Sequence, residues 1–115
     1  LAAAEAMTMG ERLGVSPDIL YEVISTSTGR SYIFDTSNPM PNVCSTSPAN
    51  NKFKPGFMAK LMLKDLRLSQ AAAQDAKTST PLGAAATAAF QQLIDSGFGD
   101  LDTSSIIKVI KPQSK

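Results

Sequence analysis

The sequence predicts an all-α fold of about five helices with one long ordered loop. Three observations carry that prediction. Apolar residues recur at helical spacing in several separate segments, and no strand-period segment of useful length appears, although 106–110 alone fits either helix or strand. Helix-start residues at Ser16-Pro17, Thr80-Pro81 and Asp102 alternate with stop residues at Gly14 and Gly97. The third is a proline-rich stretch, 31–55, that cannot hold a long regular element.

The first helix runs from Leu1 to Leu13, Ala-rich, with Ala4, Met7 and Leu13 in helical relation and Gly14 placed to end it. Ser16-Pro17-Asp18 supplies an N-cap, a proline at the first helical position and an early acid. They open a second helix through about Ser25 with Leu20, Val23 and Ile24 inward. Pro39, Pro41, Pro48 and Pro55 then mark a belt loop with one short helical turn at most, which Tyr32, Phe34 and Phe53 pack down. After the central helix come a break at 77–79 and a helix capped by Thr80 with Pro81 at its first position. That helix carries Ala85, Ala89, Leu93 and Ile94 and stops at Gly97. Asp102 caps a last short helix bearing Ile106, Ile107, Val109 and Ile110 until Pro112.

The central helix, Gly56 to Leu68 and extended by the small residues of 71–76, holds the most informative pattern. At about 100° per residue, Phe57, Leu61 and Leu68 form one stripe, with Lys64 on one flank and Asp65 on the other. Met58, Met62, Leu63 and Leu66 cover much of the remaining circumference, which predicts a helix buried on several sides. Lys64 has a plain alternative, because Lys60, Lys64 and Arg67 fall close together and form a solvated strip. Asp65 among apolar neighbours is either functional or one half of a structural ion pair. Ser27, Gly29 and Arg30, at the end of the second helix, are further candidates for this face. Arg30 also fits a partner for that helix's C-terminal dipole.

Composition narrows the function classes. At 115 residues and 43% hydrophobic content the chain makes one domain at most, with a modest core. A net charge of +1, with eleven scattered bases, provides no stripe for a nucleic-acid backbone. The apolar runs are too short for a membrane span, and no export signal is recognisable. One cysteine, Cys44, and no histidine exclude an internal disulfide and a zinc or iron site, so no metal is expected. Without histidine, acid–base chemistry falls to lysine, carboxylate or tyrosine. Gly97-Phe98-Gly99 lacks the third glycine and the preceding strand of a dinucleotide fingerprint, and reads as a helix exit. No self-contained catalytic kit is present, and a chain starting in helix at Leu1 looks like the interior of a longer protein.

The order of several short motifs resembles the C-terminal domain of the 3-hydroxyisobutyrate dehydrogenase family. They are Ala4 to Met7, Ser27-Thr28-Gly29-Arg30-Ser31, Asp35 with Asn38-Pro39-Met40-Pro41, and Ser47-Pro48-Ala49. Gly56-Phe57, Leu61 to Leu66 and Gly97 to Ser104 complete the series. The wider 3-hydroxyacid dehydrogenase family shares the helix from phenylalanine to Lys-Asp, whereas the Gly-Arg, Asp and Asn-Pro-x-Pro elements point to the hydroxyisobutyrate branch. Thr28 departs from the small residue or serine often found there.

The resemblance implies a helical domain like that of 6-phosphogluconate dehydrogenase, occupying all of 1–115. Its role is to close a substrate cleft and support homo-oligomers. An N-terminal Rossmann domain that binds NAD, or NADP, would precede it. The family's catalytic lysine would lie upstream of Leu1, so this chain carries no catalytic residue and is expected to be inactive alone. Lys64 matches the lysine that reaches the cofactor, and Phe57 and Asp65 match positions at the substrate end of the cleft. The implied reaction is oxidation of 3-hydroxyisobutyrate to methylmalonate semialdehyde in valine degradation. The alternatives are a related 3-hydroxyacid dehydrogenase or semialdehyde reductase, or a non-catalytic dimerisation module. Partners are a small hydroxyacid and a second copy of the chain, with no nucleic acid or membrane. The compartment implied is mitochondrial in a eukaryote and cytoplasmic in a bacterium.

Overall fold

A computed structural model describes residues 1–111. It is helical throughout, with α1 at Ala2–Arg12, α2 at Pro17–Ser25, α3 at Tyr32–Thr36, α4 at Ala59–Asp75, α5 at Pro81–Leu93 and α6 at Ile107–Ile110. Short 3-10 turns occupy Pro48–Asn51 and Thr103–Ile106, and a π-turn, Ile94–Phe98, continues α5. There is no strand among the described residues. Pro112, the expected end of the last helix, lies outside them.

Local chemistry sets most helix ends. Ser16 Oγ accepts the backbone N–H of Ile19 at 3.4 Å, so α2 starts where Pro17 fixes φ for its first position. Gly14 (φ 90°) and Gly97 (φ 86°) take the left-handed conformation that closes α1 and the extension of α5. Gly10 has a different reason to be small. A Cβ there would stand 2.6 Å from the Leu20 methyls, which sets how closely α1 and α2 approach. Thr80 occupies the position before α5 without capping it, because its hydroxyl turns away to donate to Gln70 Oε1 at 3.1 Å.

Ala4, Met7, Ala59 and Leu93 are fully buried, and Phe34, Met40, Leu63, Phe90, Ile106 and Ile107 complete the core around them. The buried side of α4, centred on Ala59 and Leu63, packs chiefly on α5, while α1 lies against α2 and α6. Burial of one such leucine is worth about 1.5–3 kcal/mol. The outward sides differ from expectation. Leu13 and Val23 are exposed at 77% and 58%, so neither helix turns them to the core.

The belt holds two turns, α3 and the Pro48–Asn51 turn, because hydrogen-bonding side chains can close turns where prolines forbid long helices. Fully buried Asn38 donates to the Phe34 carbonyl and accepts from the Met40 N–H, and Ser47 donates to the Asn38 carbonyl at 2.6 Å. Ser47 also caps the second turn through Ala49 N–H at 3.1 Å. Phe34 is buried and stacks on Tyr21, rings 5.4 Å apart, but Tyr32 stays 79% exposed. Cys44 is a buried free thiol.

Candidate functional site

The approach to α4 is shaped by a carboxylate far along the chain. Asp102 is 3% exposed and each of its oxygens accepts two hydrogen bonds. Oδ2 takes the backbone N–H of Gly56 (3.1 Å) and of Phe57 (3.0 Å). Oδ1 takes the N–H of Ser104 (2.9 Å) and its hydroxyl (2.7 Å). Thr103 N–H donates to the Phe57 carbonyl and Ala59 N–H to the Leu101 carbonyl, and Met58 pairs with Asp102 as an antiparallel bridge. A chain held by these bonds is extended, so Met58 (φ −64°, ψ 141°) is the cap and the helix opens at Ala59. Gly56 and Phe57, expected inside the helix, therefore precede it.

The side of α4 away from the core faces solvent. Phe57 and Leu61 are 40% and 37% exposed, and Leu68 is 63% exposed. The helix is thus buried on one side, not several. Asp65 is not wedged among apolar groups, because its neighbours on that side are open to water. Lys60 and Arg67 are engaged across the fold. Lys60 pairs with Asp100 at 2.5 Å, while Arg67 donates to Gln91 at 2.5 Å, and Gln91 in turn donates to Asp95 at 2.7 Å. Lys64 behaves differently. Its one ion pair among the described residues is with the adjacent Asp65, at 2.9 Å, both side chains about half exposed. A pair between exposed sequence neighbours is weak, and its ammonium can turn to an incoming anion. Lys64, Asp65 and Leu61 are thus open to solvent on α4, and Phe57, partly exposed, lies just before its first turn.

Arg30 belongs to another cluster. It donates to Asp35 Oδ2 at 2.7 Å, and that bond, with the carboxylate's charge, raises its pKa above the ordinary guanidinium value. Neither a helix dipole nor the Lys64 face is its partner. Ser27 Oγ donates back to the Ile24 carbonyl, and its bond closes α2. Tyr21 donates to the Asp35 carbonyl at 3.3 Å, and burial, then the nearby Cys44 and Asp35, push its phenol pKa up. A separate groove of 540 Å³ lined by Met9, Arg12, Leu13 and Ile110 contains none of the expected site residues. Among the described residues no group of three metal-binding side chains comes together, and no helix is long and apolar enough to cross a membrane.

Residues 1–110 match the family described as the NAD-binding region of NADP-dependent 3-hydroxyisobutyrate dehydrogenase. The chain belongs to the 3-hydroxyisobutyrate dehydrogenase family. It is 38% identical over 114 residues to a probable 3-hydroxyisobutyrate dehydrogenase of Mycobacterium tuberculosis, covering 99% of this chain and 38% of the relative. To the NAD-dependent L-serine dehydrogenase of Pseudomonas aeruginosa it is 37% identical, covering 97% of this chain and 38% of the relative. A solved structure of the M. tuberculosis 3-hydroxyisobutyrate dehydrogenase with L-serine superposes with a TM-score of 0.90 at 39% identity, over 96% of this chain and 38% of that one. The all-α architecture is accordingly that of the helical part of this dehydrogenase family, and the chain spans little more than a third of the length of its relatives.

Several motifs that carry the family resemblance have structural roles here. Asn38 and Ser47 brace the belt, and Asp102 ties the tail to the approach of α4. Sequence reading assigned Asp102 only the N-cap, which it also forms through Ser104 N–H. Its hold on Phe57 spans 45 positions, and no local signal announces that.

Proposed function

We propose that this chain is the helical domain of an NAD(P)-dependent 3-hydroxyacid dehydrogenase, and that the outward face of α4 closes a cleft formed with a preceding dinucleotide-binding domain. The single observation that carries this is Lys64, an exposed ammonium whose ion pair is with its exposed neighbour Asp65, on a helix that also exposes Leu61 and follows the partly exposed Phe57, in a chain of this family. The donor set fits a dinucleotide. Lys64 can meet a phosphate, ribose hydroxyl or amide oxygen. When bound, the dinucleotide supplies the hydride acceptor. Lys64 then positions it, Phe57 and Leu61 keep water from the hydride path, and Asp65 orients Lys64 while facing the substrate end. No residue of this chain takes the proton from the substrate hydroxyl, which falls to a lysine on the preceding segment.

The substrate we assign is 3-hydroxyisobutyrate, oxidised to methylmalonate semialdehyde as in valine degradation. L-Serine is a second reading, favoured by the relative named as an L-serine dehydrogenase and by the neighbouring M. tuberculosis structure with L-serine. The two molecules differ at one carbon, a methyl against an ammonium. A carboxylate at the substrate end, as Asp65 would provide, favours the ammonium. Homo-oligomers through the helical domain, a mitochondrial setting in a eukaryote and a cytosolic one in a bacterium belong to the same proposal.

Dinucleotide-dependent oxidation of both acids by the full-length protein, with the 115-residue chain beside it, is the test. Turnover of 3-hydroxyisobutyrate by the full-length protein alone supports the reading. Turnover of serine alone would select the second substrate, and dinucleotide binding without turnover of either would point to another hydroxyacid. A protein that binds no dinucleotide is the dimerisation module instead.

A further inference from the structure

We infer that Asp102 is a positioning residue for the substrate end of the cleft, acting through Phe57. The inference rests on the proposed function and extends it to a residue that touches neither substrate nor cofactor. Both backbone groups of Phe57 are held from the tail, its N–H by Asp102 Oδ2 at 3.0 Å and its carbonyl by Thr103 N–H at 2.9 Å. The adjacent Gly56 N–H shares the same oxygen. Phe57 is itself 40% exposed, and its two bonds fix the course of its backbone where the side chain is only partly covered. The second carboxylate oxygen is spent on Ser104, and Asp102 N–H is spent on the Phe53 carbonyl at 2.9 Å. Asp102 thus has two separable functions: Oδ1 orders the tail and Oδ2 holds the approach to α4. The bond to a charged, buried acceptor is of the strong kind.

The two oxygens give the test its control. Asp102→Asn leaves a single acceptor oxygen for two clusters of donors, so either Ser104 N–H or the Gly56–Phe57 pair faces an NH2 group. Ser104→Ala removes only the hydroxyl bond to Oδ1 and leaves Phe57 held. In the full-length enzyme, Asp102→Asn should raise KM for the hydroxyacid about tenfold, with KM for the dinucleotide within about twofold of wild type. Ser104→Ala should lower Tm while leaving both KM values within about twofold. If Asp102→Asn and Ser104→Ala change the hydroxyacid KM alike, or neither does, Asp102 is a structural cap only and the inference is overturned.

Hydrogen exchange on the unmodified protein provides a readout independent of variant folding. The Phe57 amide should be protected to the level of the α4 core, and exchange at the rate of a solvated loop would overturn the inference. Failure of the functional reading looks different, since a wild-type protein that oxidises no 3-hydroxyacid can still show the protected amide.

Discussion

Two regions meet at Phe57 and are built on opposite principles. Around Asp102, itself 3% exposed, both carboxylate oxygens are satisfied within the protein, in a knot of hydrogen bonds. On the outward face of α4, Lys64 has an exposed partner beside it and the apolar side chains are open. The first arrangement can hold a geometry and has no capacity for a ligand. The second has that capacity and little geometry of its own. A binding face is precise when it stands on a rigid support, and Phe57 belongs to both regions, its backbone to the knot and its ring to the face.

The comparison breaks most severely if the knot is emptied. Asp102→Ala strands the two buried donors of Ser104 together with the part-buried amides of Gly56 and Phe57 and should cost about 3–5 kcal/mol, read as a shift in the denaturant midpoint. Leu93→Ala, which opens a hole where α5 meets the core at 0% exposure, should cost about 2–5 kcal/mol without altering the α4 face. Lys64→Ala inverts the pattern. Exposed pairs contribute less than about 1 kcal/mol, so stability should stay nearly constant while cofactor affinity falls.

Smaller effects sharpen the boundary. Lys108 lies over the rings of Phe53 (5.1 Å) and Phe98 (5.0 Å) and joins the belt to the π-turn behind the knot. Lys108→Ala should cost about 0.5–1 kcal/mol, measured by thermal melting. Tyr21 gives a pH signature. Its pKa is higher folded than unfolded, so its contribution is complete below the ordinary phenol value of about 10 and is lost as pH rises through the folded value. Tyr21→Phe should flatten the fall in stability above about pH 10.

Helix existence and most helix ends were legible because capping is local. Ser16, Gly14, Gly97 and Asp102 each act within a few residues of themselves. The start of α4 was not, because the carboxylate that keeps Gly56 and Phe57 out of the helix arrives from the tail. Exposure was also hidden. The apolar pattern of α4 looked buried on several sides because periodicity reports which residues share a face, not whether anything covers it. Lys64, Asp65 and Leu61 nevertheless share the face the pattern gave them, with Phe57 at its approach. Arg30 differs from Phe57: its partner, Asp35, is only five residues on, but sits on a helical turn, α3, inside the stretch that the proline content marks as loop.

The most direct test of the account is the dinucleotide KM of the full-length enzyme carrying Lys64→Ala, measured with the hydroxyacid saturating. An open, cofactor-facing ammonium predicts a rise of about tenfold with an unchanged melting temperature. An unchanged dinucleotide KM would contradict it and leave Lys64 as one more member of a solvated strip.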